Sequence, residues 1–201
     1  SVMKVIVAGY SKTGTKSMTS ALRELGFTVY DFPEHFSEHK QQWKEILQSG
    51  NNPDIFREMY KDVDAVVDAP AFAYWKEIHE VFPDAKIILT SCEESPWFEK
   101  WQRQFENAAS NPVYRLLTLL SPTAYQFNIH DYSLNKMMAI RIFRAHNADV
   151  VQNAPADKLL QFNVKQGWDP LCKFLEVPAP EKPFPHKNAG GTVLNDVIAE
   201  N

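Results

Sequence analysis

A loop from Gly9 to Ser17 carries residue types that bind phosphate: two glycines, two lysines and several serine and threonine hydroxyls. It follows the apolar run Val5–Ala8 and precedes a segment with apolar residues at helical spacing. Backbone N–H groups and the helix dipole converge on an anion at such a junction. The sequence therefore predicts phosphate binding here, in preference to an ordinary glycine turn with a solvated lysine.

The lysines of this loop are not placed as in a nucleoside triphosphatase. The motif G-x-x-x-x-G-K-[ST] has its lysine directly after the second glycine, whereas Thr15 follows Gly14 here. Lys12 instead lies two residues before Gly14. A P-loop kinase or hydrolase is therefore the least favoured of the phosphate-binding classes.

Asp68 is the second candidate for chemistry, because it ends the apolar run Ala65–Val67 and precedes Ala69-Pro70. At the end of a parallel strand its side chain would lie at the same sheet edge as the loop, together with Ser91 after the strand 86–90. A carboxylate there could accept a proton from an acceptor hydroxyl. Two other roles stay open: Asp68 caps the following helix, or it holds Mg²⁺.

The elements that must position these residues alternate between strand and helix. Predicted strands cover 5–8, 27–30, 65–68, 86–90 and 159–164. Predicted helices follow the loop as far as Gly26, surround Trp43 up to Gly50, and cover 53–60, 72–78, 95–108, 112–120, 132–153 and, with Asp169 as N-cap, 169–175. Such alternation implies right-handed βαβ units. We expect one α/β domain over residues 1–201, a three-layer sandwich with a central parallel sheet and a P-loop-type phosphate site after the first strand.

Composition excludes several classes of protein. A net charge of -4 argues against a nucleic-acid partner, which needs a basic face. The apolar runs are too short for a signal sequence or a membrane span, and the two cysteines form no disulfide framework. We expect a cytoplasmic protein with no membrane partner. No metal site is expected either, because the i, i+4 pair His35 and His39 lies among polar residues and favours solvation over zinc.

Three segments resemble the sulfotransferase family. Lys12-Thr13-Gly14-Thr15 matches the Lys-Ser/Thr-Gly-Thr pattern of the family's phosphosulfate loop. Thr13–Ser17, Asp68-Ala69-Pro70 and Gly167–Leu175 are similar to segments of the short branch that includes the drug-activating sulfotransferase of schistosomes. The resemblance covers most of the chain.

The resemblance implies a donor, 3′-phosphoadenosine 5′-phosphosulfate, with 3′-phosphoadenosine 5′-phosphate as its product. Lys12 would neutralise the leaving phosphate, without a metal. Asp68 is the candidate for the base from its place at the strand end. The predicted nucleotide-binding residues are Lys12, Thr13, Gly14, Thr15, Lys16, Ser17, Ser91 and Lys100.

Cys92 departs from the family pattern. The family follows its strong strand with Thr-x-Arg-Asp, whose arginine holds the 3′-phosphate, but this chain has Thr90-Ser91-Cys92-Glu93. Lys100 matches the position of the family's serine on the next helix and could supply the missing charge; a solvated surface lysine is the alternative.

Two main hypotheses follow. The first is an enzyme that moves a sulfuryl group to a hydroxyl on a small-molecule acceptor. The second is a noncatalytic sulfotransferase-like nucleotide-binding or scaffold protein with a degraded 3′-phosphate site. An apolar or aromatic acceptor would fit the aromatic supply, which comprises Phe72, Tyr74, Trp75, Tyr114, Tyr125 and Phe127.

Overall fold

Five parallel strands form the centre of the part of the chain that the structure describes. The structure is a computed structural model, and it describes residues 2–49, 52–110, 112 and 135–187. The strands are β1 (Val5–Val7), β2 (Val29–Tyr30), β3 (Ala65–Val66), β4 (Lys86–Thr90) and β5 (Leu159–Phe162). Their order in the sheet is β2, β3, β1, β4, β5, with every neighbouring pair parallel. The predicted parallel sheet is confirmed.

Strand β1 lies in the middle of this sheet. Its Ile6 is in register with Val66 of β3 on one side and with Ile87 of β4 on the other. All three residues of β1 are fully buried, and both faces of a central parallel strand need apolar side chains. The loop that leaves β1 therefore begins at the centre of the sheet edge.

Eight α-helices lie within the described residues, joined by 3₁₀ turns at Ala71–Tyr74, Ala156–Lys158 and Val164–Gln166. The helices are α1 (Thr15–Glu24), α2 (Phe32–Glu38), α3 (Lys40–Ser49), α4 (Asp54–Met59), α5 (Trp75–Val81), α6 (Glu94–Ser110), α7 (Lys136–Asn153) and α8 (Trp168–Leu175).

Helices pack on both faces of the sheet. Successive strand side chains point to opposite faces, so Val5 and Val7 join the core under α1 and α8. Ile6 and Ile87 join the other core, which α3, α4, α5 and α7 cover. The three-layer α/β sandwich predicted from the sequence is confirmed.

Strands β2 and β3 are shorter than the predicted strands 27–30 and 65–68. Two further predicted boundaries are wrong for local reasons. Strand β5 ends at Phe162, because Asn163 accepts a hydrogen bond from Lys165 N (3.0 Å) and so begins a 3₁₀ turn. Helix α8 begins at Trp168, with Gly167 at φ 75° as its N-cap and no side-chain cap. Asp169 therefore lies inside the first turn and is not the N-cap.

Some predicted features lie outside the described residues. They include Gly50, residues 132–134 and the predicted helix 112–120 apart from residue 112. Among the residues that are described, no helix combines the length and the apolar character needed to cross a membrane.

The structure predicts that Gly9 is the least replaceable glycine of the described chain. A Cβ on Gly9 would lie 1.8 Å from Thr90 Oγ1 and 2.7 Å from Thr90 N and O, because the loop leaves β1 directly against the end of β4. Gly9→Ala should lower the free energy of unfolding in urea by about 3 kcal/mol through overpacking. Gly26→Ala is the control, since it faces open space at φ 87° and should cost only about 1 kcal/mol of backbone strain. Equal losses would contradict this contact.

Candidate nucleotide and acceptor site

The loop between β1 and α1 presents an uncapped helix N-terminus. Gly14 is the N-cap of α1 at φ 99°, with no side-chain cap and no acidic residue in the first turn. The Cβ position of Gly14 faces Val164, with 2.7 Å to the nearest methyl, so the turn after β5 closes against the loop. The partial positive charge of the helix end is thus left for an anion.

Asp68 is hydrogen bonded to this loop. Ser11 Oγ donates to Oδ1, Thr15 Oγ1 donates to Oδ2 (2.9 Å), and Ala69 N donates to Oδ1 (2.7 Å). The side chain is nearly enclosed, with the residue 8% exposed. The structure therefore brings the predicted base and the predicted phosphate loop together at one edge of the sheet.

The backbone of Asp68 is strained. Its φ is 65°, a left-handed conformation that costs a residue with a side chain about 1 kcal/mol or more. The alternative that Asp68 caps the next helix is wrong, because the 3₁₀ turn Ala71–Tyr74 has Pro70 as its N-cap and no side-chain cap. The carboxylate turns towards the loop instead.

Other side chains of the loop are engaged within the protein. Thr13 Oγ1 donates to Tyr10 O (2.6 Å) and lies 2.6 Å from Thr90 Oγ1, which ties the loop to β4. Ser17 Oγ accepts from Lys187 N (3.0 Å). These hydroxyls therefore shape the loop, and any role of theirs in nucleotide binding stays a prediction.

Lys16 forms an ion pair with Asp31, a residue that the sequence did not single out. Lys16 Nζ lies 2.8 Å from Asp31 Oδ2, and Asp31 also begins α2 by accepting from Phe32 N (2.7 Å). Burial raises the pKa of Asp31 to about 6; the charge of Asp68 adds to the rise and Lys16 opposes it. The site therefore holds a second carboxylate, which directs Lys16 towards β2.

The charges of two lysines reach Cys92, where the family pattern has arginine. The thiol is half-buried, 3.9 Å from Lys12 O, and burial raises its pKa. The charges of Lys100 on α6 and Lys165 after β5 lower the thiol pKa, whereas the charge of Glu93 raises it. Lys165 was missed from sequence, although its place just after a strand was a usable signal.

Ser91 lines a pocket beside α7. The pocket has a volume of about 300 Å³ and is also lined by residues such as Leu89 and Asn147. The backbone N of Ser91 donates to Phe162 O (2.9 Å), which extends the pairing of β4 with β5. Its predicted contact with a nucleotide stays a prediction.

An aromatic cluster covers the loop. Its members are Tyr10, Phe72, Trp97, Phe98, Trp101 and Phe143. Trp97 Nε1 donates to Ser11 O (2.9 Å), and the rings of Trp97 and Phe143 stack at 4.2 Å between centroids. Trp97 and Trp101 thus pack α6 on the loop and α7.

The aromatic residues predicted to line an acceptor site lie in different parts of the structure. Phe72 lies in this cluster, 4.6 Å from the ring of Tyr10. Tyr74 and Trp75 pack in the core on the α5 side of the sheet. The others, Tyr114, Tyr125 and Phe127, lie outside the described residues.

The expectation that His35 is solvated is wrong. Its side chain is fully buried, and burial lowers its pKa to about 3. The ring reaches Val67 O and Tyr60 Oη, at 3.2 Å and 3.4 Å. Within the described ranges, no group of three or more His, Cys, Asp or Glu side chains is placed to hold a metal ion.

The chain is similar to one known protein in sequence and to a solved structure in fold. A protein of Aspergillus versicolor described as Ava biosynthesis cluster protein M is 29% identical over 211 aligned positions, which cover 92% of this chain and 80% of that protein. A crystal structure of a sulfotransferase from Alicyclobacillus acidocaldarius shares the fold with a TM-score of 0.54, at 14% identity, over 100% of this chain and 90% of that one.

The resemblance to the short branch that includes the schistosome enzyme stays a prediction. The family model described as "Sulfotransferase domain" matches residues 4–193, nearly the whole chain. The chain therefore belongs to the sulfotransferase domain family.

Proposed function

We propose that this protein transfers a sulfuryl group from 3′-phosphoadenosine 5′-phosphosulfate to a hydroxyl of a small-molecule acceptor. The single observation that carries the proposal is the hydrogen bond between Thr15 Oγ1 and Asp68 Oδ2 (2.9 Å). It joins an anion-binding helix end to a carboxylate, and sulfuryl transfer needs both within reach of one sulfur atom. The family generally draws on the same donor.

The residues of the loop fit the donor's phosphosulfate. Gly14 leaves the N-terminus of α1 uncapped, and its amides can bind phosphate oxygens. Lys12, two residues earlier, adds a full positive charge. Charge developing on the leaving phosphate would be stabilised by Lys12 and these amides.

Asp68 has room for one more hydrogen bond. Its Oδ1 accepts from Ser11 Oγ and Ala69 N, whereas Oδ2 accepts from Thr15 Oγ1. A carboxylate offers about four acceptor positions, so Oδ2 keeps one for the acceptor hydroxyl. Oδ2 takes that proton while the acceptor oxygen bonds to sulfur and the bond from sulfur to the phosphate oxygen breaks.

The 3′-phosphate would meet Lys100 and Lys165 in place of an arginine. Both lysines are close enough to Cys92 for their charges to act on its thiol. They come from different elements, α6 and the turn after β5, and so could hold a dianion from two sides. Lysine lacks the forked geometry of arginine, so we expect weaker binding than an arginine site gives.

The acceptor is proposed to be small and partly aromatic. The aromatic cluster over the loop, which includes Tyr10 and Phe72, would form an apolar wall beside the acceptor. The name of the Aspergillus versicolor relative refers to a biosynthesis cluster, and products of such clusters are small molecules. Both observations favour a small-molecule acceptor over a protein.

A noncatalytic nucleotide-binding protein is the second candidate, and Cys92 favours it. A cysteine cannot replace the permanent charge of a guanidinium. The bonds of Asp68 to Ser11 and Thr15 would then serve only to hold the loop.

Variants of Lys12 and Asp68 separate these two functions. Asp68→Asn should lower turnover by ~10² or more, the usual scale for loss of a general base, with the affinity for 3′-phosphoadenosine 5′-phosphate nearly unchanged. Lys12→Ala should abolish turnover and weaken nucleotide binding, with the fold intact. The measurement is sulfuryl transfer to a panel of phenols and alcohols, alongside calorimetric titration. Lys61→Ala on the surface is the control and should keep full turnover. Full turnover by Asp68→Asn would contradict the proposed role of Asp68 as the general base.

The site around Cys92 makes a second prediction. Lys165→Ala and Lys100→Ala should each weaken 3′-phosphoadenosine 5′-phosphate by about tenfold and leave 5′-AMP unchanged, because a charge-assisted contact contributes roughly 1.5 kcal/mol or more. Cys92→Arg should tighten the same ligand selectively. If Cys92→Arg tightens it about a hundredfold and both lysine variants are silent, the natural 3′ site is degraded and the noncatalytic function is favoured.

A further inference from the structure

His35 contacts the backbone beside Asp68 from inside the protein. It lies on α2 with its side chain fully buried, and its Nε2 is 3.2 Å from Val67 O. A carbonyl oxygen can only accept, so Nε2 carries the hydrogen and Nδ1 is the acceptor. Tyr60 Oη, 3.4 Å from Nδ1, is then the donor to the ring.

This contact acts on the strained peptide that carries the base. Val67 precedes Asp68, whose φ is 65°. Val67 N donates to Tyr30 O (2.9 Å) and Phe72 N donates to Asp68 O (3.0 Å), so the backbone is held on both sides. Rotation of the Val67 carbonyl would turn Asp68 and carry its carboxylate away from the loop. His35 is the side chain that opposes this rotation.

Burial keeps the His35 ring neutral. Burial lowers its pKa to about 3, although the charge of Asp68 and the bond to Val67 O act the other way. A neutral ring has one N–H and one acceptor nitrogen, which is what Val67 O and Tyr60 Oη require. Its two hydrogen bonds therefore do not change at neutral pH.

We propose that His35 is a positioning residue for sulfuryl transfer, which holds the Val67–Asp68 peptide so that the carboxylate of Asp68 stays on the phosphate loop. This proposal rests on the proposed role of Asp68 as the base. It assigns a function to a buried histidine whose tautomer is set by Val67 O, with Tyr60 as the donor to its Nδ1.

The test is a double-mutant cycle of His35→Leu and Asp68→Asn. His35→Leu should lower kcat about 10- to 100-fold, the scale of a misplaced catalytic group, with less than a twofold change in the affinity for 3′-phosphoadenosine 5′-phosphate. In the Asp68→Asn background the same change should have no further effect on kcat. His35→Gln, which keeps an N–H donor, should recover part of the rate. His39→Leu is the matched control and should leave kcat within twofold.

A second measurement does not depend on activity or on the leucine variant folding. The measurement is a set of crystal structures of His35→Gln, Tyr60→Phe and His35→Leu. Variants that lose the contact with Val67 O should also show Asp68 leaving positive φ or losing its hydrogen bonds to Ser11 and Thr15. The change at Asp68 should be larger where more of the Val67 contact is lost. Unchanged geometry at Asp68 in a variant that has lost this contact overturns the proposal, as do additive effects in the cycle. If Asp68→Asn alone leaves kcat unchanged, the proposed base fails as well, and the two failures are thus told apart.

Discussion

The attachment of the Asp68 carboxylate to the phosphate loop is the interaction on which the rest of the site depends. Ser11 and Thr15 lie on either side of the loop's turn, and both donate to this one side chain. The loop leaves β1 and Asp68 lies two residues after β3, and these two strands are neighbours in the sheet. The sheet therefore sets the distance between anion site and base, and the hydrogen bonds fix their orientation.

One of the two lysines of the loop, Lys16, is paired with a buried carboxylate. Lys16 is held by Asp31, whose pKa is raised to about 6 by burial and by the charge of Asp68. Lys12 lies on the opposite side of Gly14, where its backbone carbonyl faces Cys92. Asp31 offsets the charge of Lys16, so we expect an anion at this loop to bind mainly through Lys12 and the amides at the N-terminus of α1.

The sequence predicted the parts of this account that follow from strand order. The phosphate loop and Asp68 each follow a parallel strand. Because the carboxyl ends of parallel strands lie at one edge of the sheet, their proximity could be predicted without knowing the tertiary packing. His35 could not be assigned, because its neighbours Val67 and Tyr60 are distant along the chain and its polar surroundings in sequence predicted solvation. Lys187 likewise reaches Ser17 only through the tail that packs Phe184 beside Trp168. The start of α8 was misplaced because Gly167 at positive φ replaced the side-chain cap that Asp169 suggested.

A crystal structure of the wild-type protein with 3′-phosphoadenosine 5′-phosphate tests the central claim most directly. We expect the 5′-phosphate at the N-terminus of α1, within about 3 Å of the amides of 14–17 and of Lys12 Nζ. Asp68 should still be hydrogen bonded to Thr15, with Oδ2 facing the space beyond the phosphate. A nucleotide bound elsewhere, or an Asp68 carboxylate turned away from that phosphate, would contradict the account.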